Sequence, residues 1–402
     1  MSLNSTVSAE RVHIGFFGKR NAGKSSLVNA VTGQSLSVVS DVLGTTTDPV
    51  KKAMELLPLG PVVIIDTPGF DDEGALGELR VSKTREILAK TDIAVLVVDA
   101  QKGTDSYDNE LISLFNERKT PHIIAYNKCD NITEKNKTAE NEIYVSAKSG
   151  ENIEALKEML AAFSKDSKKP RYIVSDLLEK GDTAVLVIPI DEAAPKGRLI
   201  LPQQQTMRDI LDAHCSFIAC QDTELCETLA SLSKKPRLVI TDSQAFGRVS
   251  KDVPDDIMLT SFSILFARYK GDLKQLVEGA AALSKLKDGD KVLISEGCTH
   301  HRQCNDIGTV KMPGWIKGFT GADIEFHFTS GGEFPEDLNE FALIVHCGGC
   351  MLNEKEMAFR LQKAQESGVP IVNYGVAIAM MHGILTRSLE PFPEILKLIE
   401  ER

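Results

Sequence analysis

His346-Cys347-Gly348-Gly349-Cys350 sets two thiols at C-x-x-C spacing, and Cys298-Thr299-His300 sets a third thiol beside an imidazole. C-x-x-C spacing lets both sulfurs face one centre, and soft thiolates suit zinc or an iron–sulfur cluster. Cys298, Cys347 and Cys350 are the candidate thiolate ligands, with His300 and His346 as candidates for a fourth position. The thiol-rich set favours iron–sulfur. A Cys2His2 or Cys3His zinc site and a Cys347–Cys350 redox disulfide stay open as alternatives.

A second chemical set lies at the other end of the chain. Gly18-Lys19-Arg20-Asn21-Ala22-Gly23-Lys24-Ser25 is G-x-x-x-x-G-K-S, followed by Ser26 at the start of an apolar helical segment. Backbone amides of such a loop wrap phosphates, the lysine reaches the β- and γ-phosphates, and the serine hydroxyl ligates Mg²⁺. The helix amino terminus adds partial positive charge. Gly44-Thr45-Thr46-Thr47-Asp48 can supply a threonine to Mg²⁺. Asp66-Thr67-Pro68-Gly69 offers a carboxylate that holds Mg²⁺ through water and, at Gly69, an amide that senses the γ-phosphate. In Asn127-Lys128-Cys129-Asp130, the Asp130 carboxylate can accept two hydrogen bonds from guanine, which adenine cannot supply. Ser146-Ala147-Lys148 closes the set. Cys129 reads as a small buried side chain.

Apolar runs feed every one of these loops. Val12–Phe17 precedes the phosphate loop, Val62–Ile65 precedes Asp66, and Ile93–Val98 ends at Asp99. Ile123–Tyr126 precedes Asn127 and Ile143–Val145 precedes Ser146. Short apolar runs before turns read as buried strands, and ligands in open α/β sheets bind outside the carboxyl ends of strands. The charged, proline-ended stretch 164–170 reads as a linker. Beyond it, strands are expected at Thr183–Ile190, Cys215–Ala219 and Arg237–Thr241, with helices over 203–213 and 222–232. This βαβ alternation carries no phosphate loop and no clustered acids, so its expected role is dimerisation or positioning. Cys215, Cys220 and Cys226 read as core residues.

The last region is a second α/β unit, with a helix over 272–286 and strands at Lys291–Ser295, Ala322–Phe328, Phe341–Val345 and Pro370–Asn373. Helices are expected over 354–366, 376–385 and 394–401. Both cysteine groups then fall at strand ends. Cys304, with His301 and His327, reads as structural or incidental. The expected architecture is α/β: a P-loop GTPase domain (1–170), an α/β dimerisation domain (171–263) and an α/β cluster-binding domain (264–402). The latter two are smaller, Rossmann-like and built on parallel sheets.

Composition sets the boundaries. The 402 residues are 42% hydrophobic and 26% charged, with a net charge of −11 and a sequence pI near 5.4. An acidic balance opposes nucleic acid as a partner. No apolar run reaches the ~20 residues that span a bilayer, and the polar start Met1–Glu10 lacks a secretory pattern. A cytoplasmic location is expected, with the eight cysteines reduced or ligating rather than bridged.

From Gly18 to Lys148 the ordered motifs resemble the translation-factor-like GTPases, most closely the branch of tRNA-modifying and ribosome-assembly GTPases. The resemblance implies GTP/GDP and Mg²⁺ as ligands. It makes Thr46 the Mg²⁺-sensing threonine, with Thr45 and Thr47 as near alternatives, sets Lys128 against the base and points the Ala147 amide at the base oxygen. Phe70 stands where Ras-like proteins carry a water-orienting glutamine. In related GTPases an asparagine at the place of Asn21 ligates K⁺, which supplies charge where an arginine finger would sit. The simpler role for Asn21 is to shape the loop turn.

Joined to the C-x-H and H-C-x-x-C groups, the whole chain resembles the maturation GTPases of FeFe-hydrogenases (the HydF family). That implies a 4Fe-4S cluster on Cys298, Cys347 and Cys350, with a fourth position open or weakly filled, and a diiron precursor carried as cargo. It also implies radical-SAM maturases and apo FeFe-hydrogenase as partners, and a homodimer through 171–263. The alternative is a GTPase acting on tRNA or the ribosome with a zinc-stabilised accessory domain.

Overall fold

The structure is a computed structural model that describes residues 10–34, 50–67, 84–135, 138–166, 171–190, 197, 199–297, 306–331, 333–349 and 352–400. It separates into two compact units, residues 1–169 and 170–402. Among the described residues no helix is long and apolar enough to cross a membrane.

The first unit runs β1 (Val12–Phe17), α1 (Lys24–Thr32), β2 (Val50–Leu56), β3 (Gly60–Asp66), β4 (Ile93–Asp99), α2 (Ser106–Glu117), β5 (His122–Asn127), β6 (Glu142–Tyr144) and α3 (Ile153–Asp166). Its six-stranded sheet has the order β2-β3-β1-β4-β5-β6. Only β2 is antiparallel to its neighbour. The strands are apolar on both faces because helices cover both. Ile14, Phe16, Ile64, Val95 and Val97 pack with Leu27 of α1 and Leu156 of α3. The alternate residues Phe17, Ile65, Leu96 and Val98 pack with Leu111 and Phe115 of α2. Period-two alternation thus splits each strand between two cores. β2 was not expected, because Lys51, Lys52 and Glu55 interrupt its apolar positions. It is a charged edge strand, where such residues discourage further pairing.

The second unit begins β7 (Thr183–Val187), α4 (Leu201–Asp212), β8 (Ser216–Cys220), α5 (Leu225–Ser231), β9 (Leu238–Thr241), α6 (Phe246–Asp252) and β10 (Met258–Ser261). It continues α7 (Phe262–Lys270), α8 (Leu273–Ala280), β11 (Lys291–Glu296), α9 (Met312–Thr320), β12 (Glu325–Ser330) and β13 (Leu343–His346). It ends α10 (Glu354–Glu366), β14 (Ile371–Asn373), α11 (Tyr374–Met381), α12 (Leu385–Ser388) and α13 (Pro393–Glu400). Two four-stranded sheets result, with orders β10-β9-β7-β8 and β12-β11-β13-β14, both parallel throughout.

One hydrophobic core runs through this unit from Ile173 to Phe392 and takes in strands of both sheets. The expected domains 171–263 and 264–402 share this core. Arginines tie it further. Arg387 donates to the carbonyls of Ser250, Val253 and Pro254, and Arg268 pairs with Asp176 at 2.7 Å. Several boundaries differ from expectation. β12 begins three residues later than the apolar run at 322–328 suggests and ends two residues later. The long helix expected over 272–286 stops at Ala280 and passes through a 3-10 turn at Leu283–Lys285. The helix expected over 376–385 breaks at Gly383, whose φ of +70° ends α11 before α12 begins.

Candidate nucleotide and metal sites

In the first unit the phosphate loop joins β1 to α1. Gly18 has a φ of +132°, and a Cβ there would stand 2.3 Å from the Val97 carbonyl oxygen. Only glycine fits so close to β4. The Lys24 ammonium, buried, donates to the Gly18 and Lys19 carbonyls at 2.8 and 2.7 Å, so it lies along the loop that is to hold phosphate. Ser25 Oγ donates to Asp66 Oδ2 at 2.9 Å, which brings together the two oxygen ligands expected for Mg²⁺. A hydroxyl on the first turn of α1 beside a carboxylate at the end of β3 fits a hard divalent cation. Ser26 is exposed on the first turn of α1, and Ala22 is buried beneath the loop.

The residues expected to recognise the base come from three loops. Asn127 is buried, and its Nδ2 donates to the Ala22 carbonyl at 3.0 Å. Its Oδ1 accepts from the Ala147 amide at 3.1 Å, which ties the two loops together. Lys128, at a φ of +63°, donates to the Asn21 carbonyl and to Asp99 Oδ2, each at 2.7 Å. Burial raises the Asp99 carboxyl, but the hydrogen bond and charge of Lys128 outweigh it and hold its pKa below the usual value. Asp99 thus positions Lys128, a role its place at a strand end did not announce. Ser146 Oγ donates to Asp130 Oδ1 at 2.7 Å and holds that carboxyl low, ready to accept as an anion. Lys148 follows on the same loop. Cys129 is buried as expected, and burial pushes its thiol up. Asn21 has a φ of +61° and an exposed side chain. Thr45, Thr46, Thr47, Gly69 and Phe70 lie outside the described residues.

In the second unit the cysteine turn follows β13. The chain leaves β11 towards β12 on one side, and β13 and β14 lie on the other, so β11 and β13 flank a topological switch point. Ser295 on β11 and His346 on β13 are register partners, and the Cys347 amide donates to the Ser295 carbonyl at 3.0 Å. Cys347 Sγ accepts from the Gly297 amide at 3.0 Å and from the Gly349 amide at 3.4 Å. Amide donors aimed at sulfur stabilise a thiolate ligand and tune a cluster's potential. This donor set fits a soft metal centre. Cys298, His300, His301, Cys304 and Cys350 lie outside the described residues, and among the described residues no group of three metal-ligating side chains forms.

His346, a candidate ligand, lies at the end of β13. It is fully buried, with Nδ1 2.7 Å from the Cys347 carbonyl and Nε2 3.1 Å from Arg360 Nη1. Both ring nitrogens are engaged by the protein. Burial, then the Arg360 charge, lower its pKa to about 3 against the pull of the Cys347 carbonyl, so the imidazole is neutral. Arg360 was missed. Its only sequence signal is the Glu356–Arg360 pair one helical turn apart, a spacing common on exposed helices; here both side chains are buried and 2.7 Å apart. Lys270 was missed likewise: it is buried at the end of α7 and donates to the Gly349 and Leu352 carbonyls at 3.4 and 3.2 Å.

The other thiols and imidazoles stand apart. Cys215 is buried and bonds the Glu179 carbonyl at 3.0 Å, while Cys226, expected in the core, is exposed on α5. Cys220 is half-buried on β8. His327 pairs with Glu325 at 2.7 Å in the body of edge strand β12, in register with Leu293 rather than with the strand ends.

Three family models match the chain. Residues 13–128 match the 50S ribosome-binding GTPase, 173–271 the hydrogen maturase F dimerization domain, and 274–391 the hydrogen maturase F tetramerization domain. Among curated relatives, the tRNA modification GTPase MnmE of Thiobacillus denitrificans is 32% identical over 147 residues, covering 36% of this chain and 32% of its own length. GTPase Der of Wolinella succinogenes is 34% identical over 165 residues, covering 37% of this chain and 35% of its own. The chain thus spans about a third of the length of these relatives. Among solved structures, a probable GTP-binding protein engB is 26% identical with a TM-score of 0.31, covering 39% of this chain and 100% of that one. With a GTPase domain ahead of both maturase domains, the chain belongs to the hydrogen maturase F family, the maturation GTPases of FeFe-hydrogenases.

Proposed function

We propose that this GTPase is a scaffold that binds a 4Fe-4S cluster, receives a diiron precursor of the hydrogenase active-site cluster and delivers it to apo FeFe-hydrogenase. The observation that carries this is the pair of hydrogen maturase F domains over 173–271 and 274–391, the second of which contains Cys298, Cys347 and Cys350. The tRNA or ribosome alternative rests on the GTPase third alone, and the maturase domains weigh against it.

In the first unit, Lys24 leaves its carbonyl partners to reach the phosphates, while Ser25 and Asp66 hold Mg²⁺. Asp130 selects guanine, Lys128 flanks the base, and Thr46 and Gly69 read the γ-phosphate. Asn21 holds K⁺, which stimulates hydrolysis in a chain that carries Phe70 in place of a water-orienting glutamine. Nucleotide state governs partner association rather than driving bond formation.

In the second unit, Cys298, Cys347 and Cys350 hold the cluster, with His300 as the imidazole candidate for the fourth place. The cluster supplies an iron with a replaceable ligand, which is what a carrier needs in order to take up a diiron cargo and let it go. Cys347 brings a sulfur already supported by two amides. The partners are radical-SAM maturases and the apo-hydrogenase. A homodimer forms through 171–263, where β8 lies at a sheet edge and Leu211 is exposed, features that suit pairing.

The test is anaerobic iron and sulfide reconstitution followed by EPR of the reduced protein. A 4Fe-4S signal is expected, perturbed by added imidazole and lost in Cys298→Ser, Cys347→Ser and Cys350→Ser. One tightly held zinc with no iron uptake would overturn the scaffold role and leave the GTPase standing.

A further inference from the structure

We infer that Arg360 is the positioning residue of the cysteine centre, and that His346 acts as its relay, orienting the Cys347 peptide rather than binding metal. The inference rests on the proposed cluster role and deepens it.

The geometry begins at one rung of the sheet. Ser295 and His346 are register partners on β11 and β13, the strands that lead to Cys298 and Cys347. Arg360 Nη1 touches both: it donates to Ser295 Oγ at 3.2 Å and to His346 Nε2 at 3.1 Å. A guanidinium cannot accept, so Nε2 supplies the lone pair and the ring proton sits on Nδ1. That proton is donated to the Cys347 carbonyl at 2.7 Å. The tautomer is therefore set by the arginine, and the tautomer fixes the peptide that follows the first cysteine of the turn.

The arginine is itself held. Nη2 donates to Glu356 Oε1 and to the Gly331 carbonyl, each at 2.7 Å, and the guanidinium lies 5.2 Å from the Phe334 ring centroid. Its planar fork is what allows one side chain to span two strand ends and still keep a carboxylate. Lys270 anchors the far end of the turn through the Gly349 and Leu352 carbonyls. Cys347 Sγ accepts from the Gly297 and Gly349 amides.

The test uses the full chain and compares His346→Gln with His346→Leu after anaerobic iron and sulfide reconstitution. A glutamine amide can donate to the Cys347 carbonyl and accept from Arg360, whereas leucine can do neither. His346→Gln is expected to keep iron content and the EPR line shape within error of the parent. His346→Leu is expected to bind several-fold less iron and to shift the signal. With ¹⁵N-histidine labelling, the parent should show no strong imidazole-nitrogen coupling to the cluster that His346→Gln removes. Such a coupling would overturn the inference, as would equal effects of glutamine and leucine. Arg360→Met alone leaves Glu356 buried without its partner, so the second variant is Arg360→Met/Glu356→Gln, which removes the residual charge. It should lose iron several-fold and shift the cluster's potential while GTP hydrolysis, in the other compact unit, is unchanged. An unaltered potential and iron content would overturn the role of Arg360. If the parent itself took up no iron, the cluster assignment would fall first and the inference with it.

Discussion

A Cβ on Gly23 would stand 2.3 Å from Asn127 Nδ2. Gly23 also has a φ of +88°, which side chains rarely adopt, and Asn127 Nδ2 donates to the neighbouring Ala22 carbonyl at 3.0 Å. The phosphate loop and the base-recognition loop are thus locked where glycine alone fits. Gly23→Ala must displace Asn127 or distort the loop, at roughly 1–3 kcal/mol for the overpacked contact. We predict at least a tenfold loss of affinity for a fluorescent GTP analogue, with the circular dichroism spectrum kept. Undiminished affinity would show that the two loops are not coupled through this contact.

Asp130 is the proposed guanine selector, and Ser146 Oγ holds its carboxyl low from 2.7 Å. Asp130→Asn replaces one acceptor with a donor that faces the guanine N–H groups. GTP affinity should fall by about a hundredfold or more, since a donor then faces a donor. Xanthosine triphosphate, which offers a carbonyl in place of the 2-amino group, should bind better than GTP. Ser146→Ala should weaken GTP by about tenfold, since the hydrogen bond that orients the Asp130 carboxylate is lost. If Asp130→Asn kept its preference for GTP in competition titrations, the specificity would lie elsewhere.

The nucleotide motifs were legible because each is local. A phosphate loop is one continuous segment, and Asp66, Asn127 and Ser146 each end an apolar run that announces a strand. The parallel sheets were legible for the same reason. What escaped is non-local. The charged edge strand β2 lacks the apolar alternation that signals a strand, and β10 runs into α7 without a turn residue. The arginine on α10 that braces His346 lies fourteen residues away and looks like half of a surface ion pair. His346 looked like a ligand because its neighbour in sequence is a cysteine, yet its ring faces the packed interior while the Cys347 sulfur faces the amides of Gly297 and Gly349.

Asn21 offers its carbonyl to Lys128 at 2.7 Å while its side chain is exposed at the loop's tip. The proposed K⁺ role is therefore separable from loop shape. An arginine finger contributes ~10³–10⁵ to hydrolysis, and a single monovalent cation with less directional bonding should give less. We predict that hydrolysis is about tenfold or more faster in KCl than in NaCl at equal ionic strength. Asn21→Ala should abolish that difference and keep the NaCl rate. Equal rates in the two salts would leave Asn21 as a turn residue only.

His346 also sets a pH dependence of stability. Its pKa in the folded chain is about 3, lowered by burial and then by the Arg360 charge, against ~6.5 for an unperturbed histidine. The unfolded chain therefore binds the extra proton between those values. Stability from this group is fully present above the unfolded pKa and is lost as pH falls towards 3, with a slope approaching ~1.4 kcal/mol per pH unit. Asp99 and Asp130, both held low, ionise below the window from pH 6.5 to 5. Trp315 is the chain's one tryptophan and lies on α9, so its fluorescence follows the second unit by itself. In urea titrations followed at Trp315, the parent should lose about 2 kcal/mol between pH 6.5 and 5 that His346→Gln does not lose. Parallel losses in the two proteins would mean that His346 already accepts a proton in the folded state, and the Nδ1–H tautomer held by Arg360 could not be the resting form.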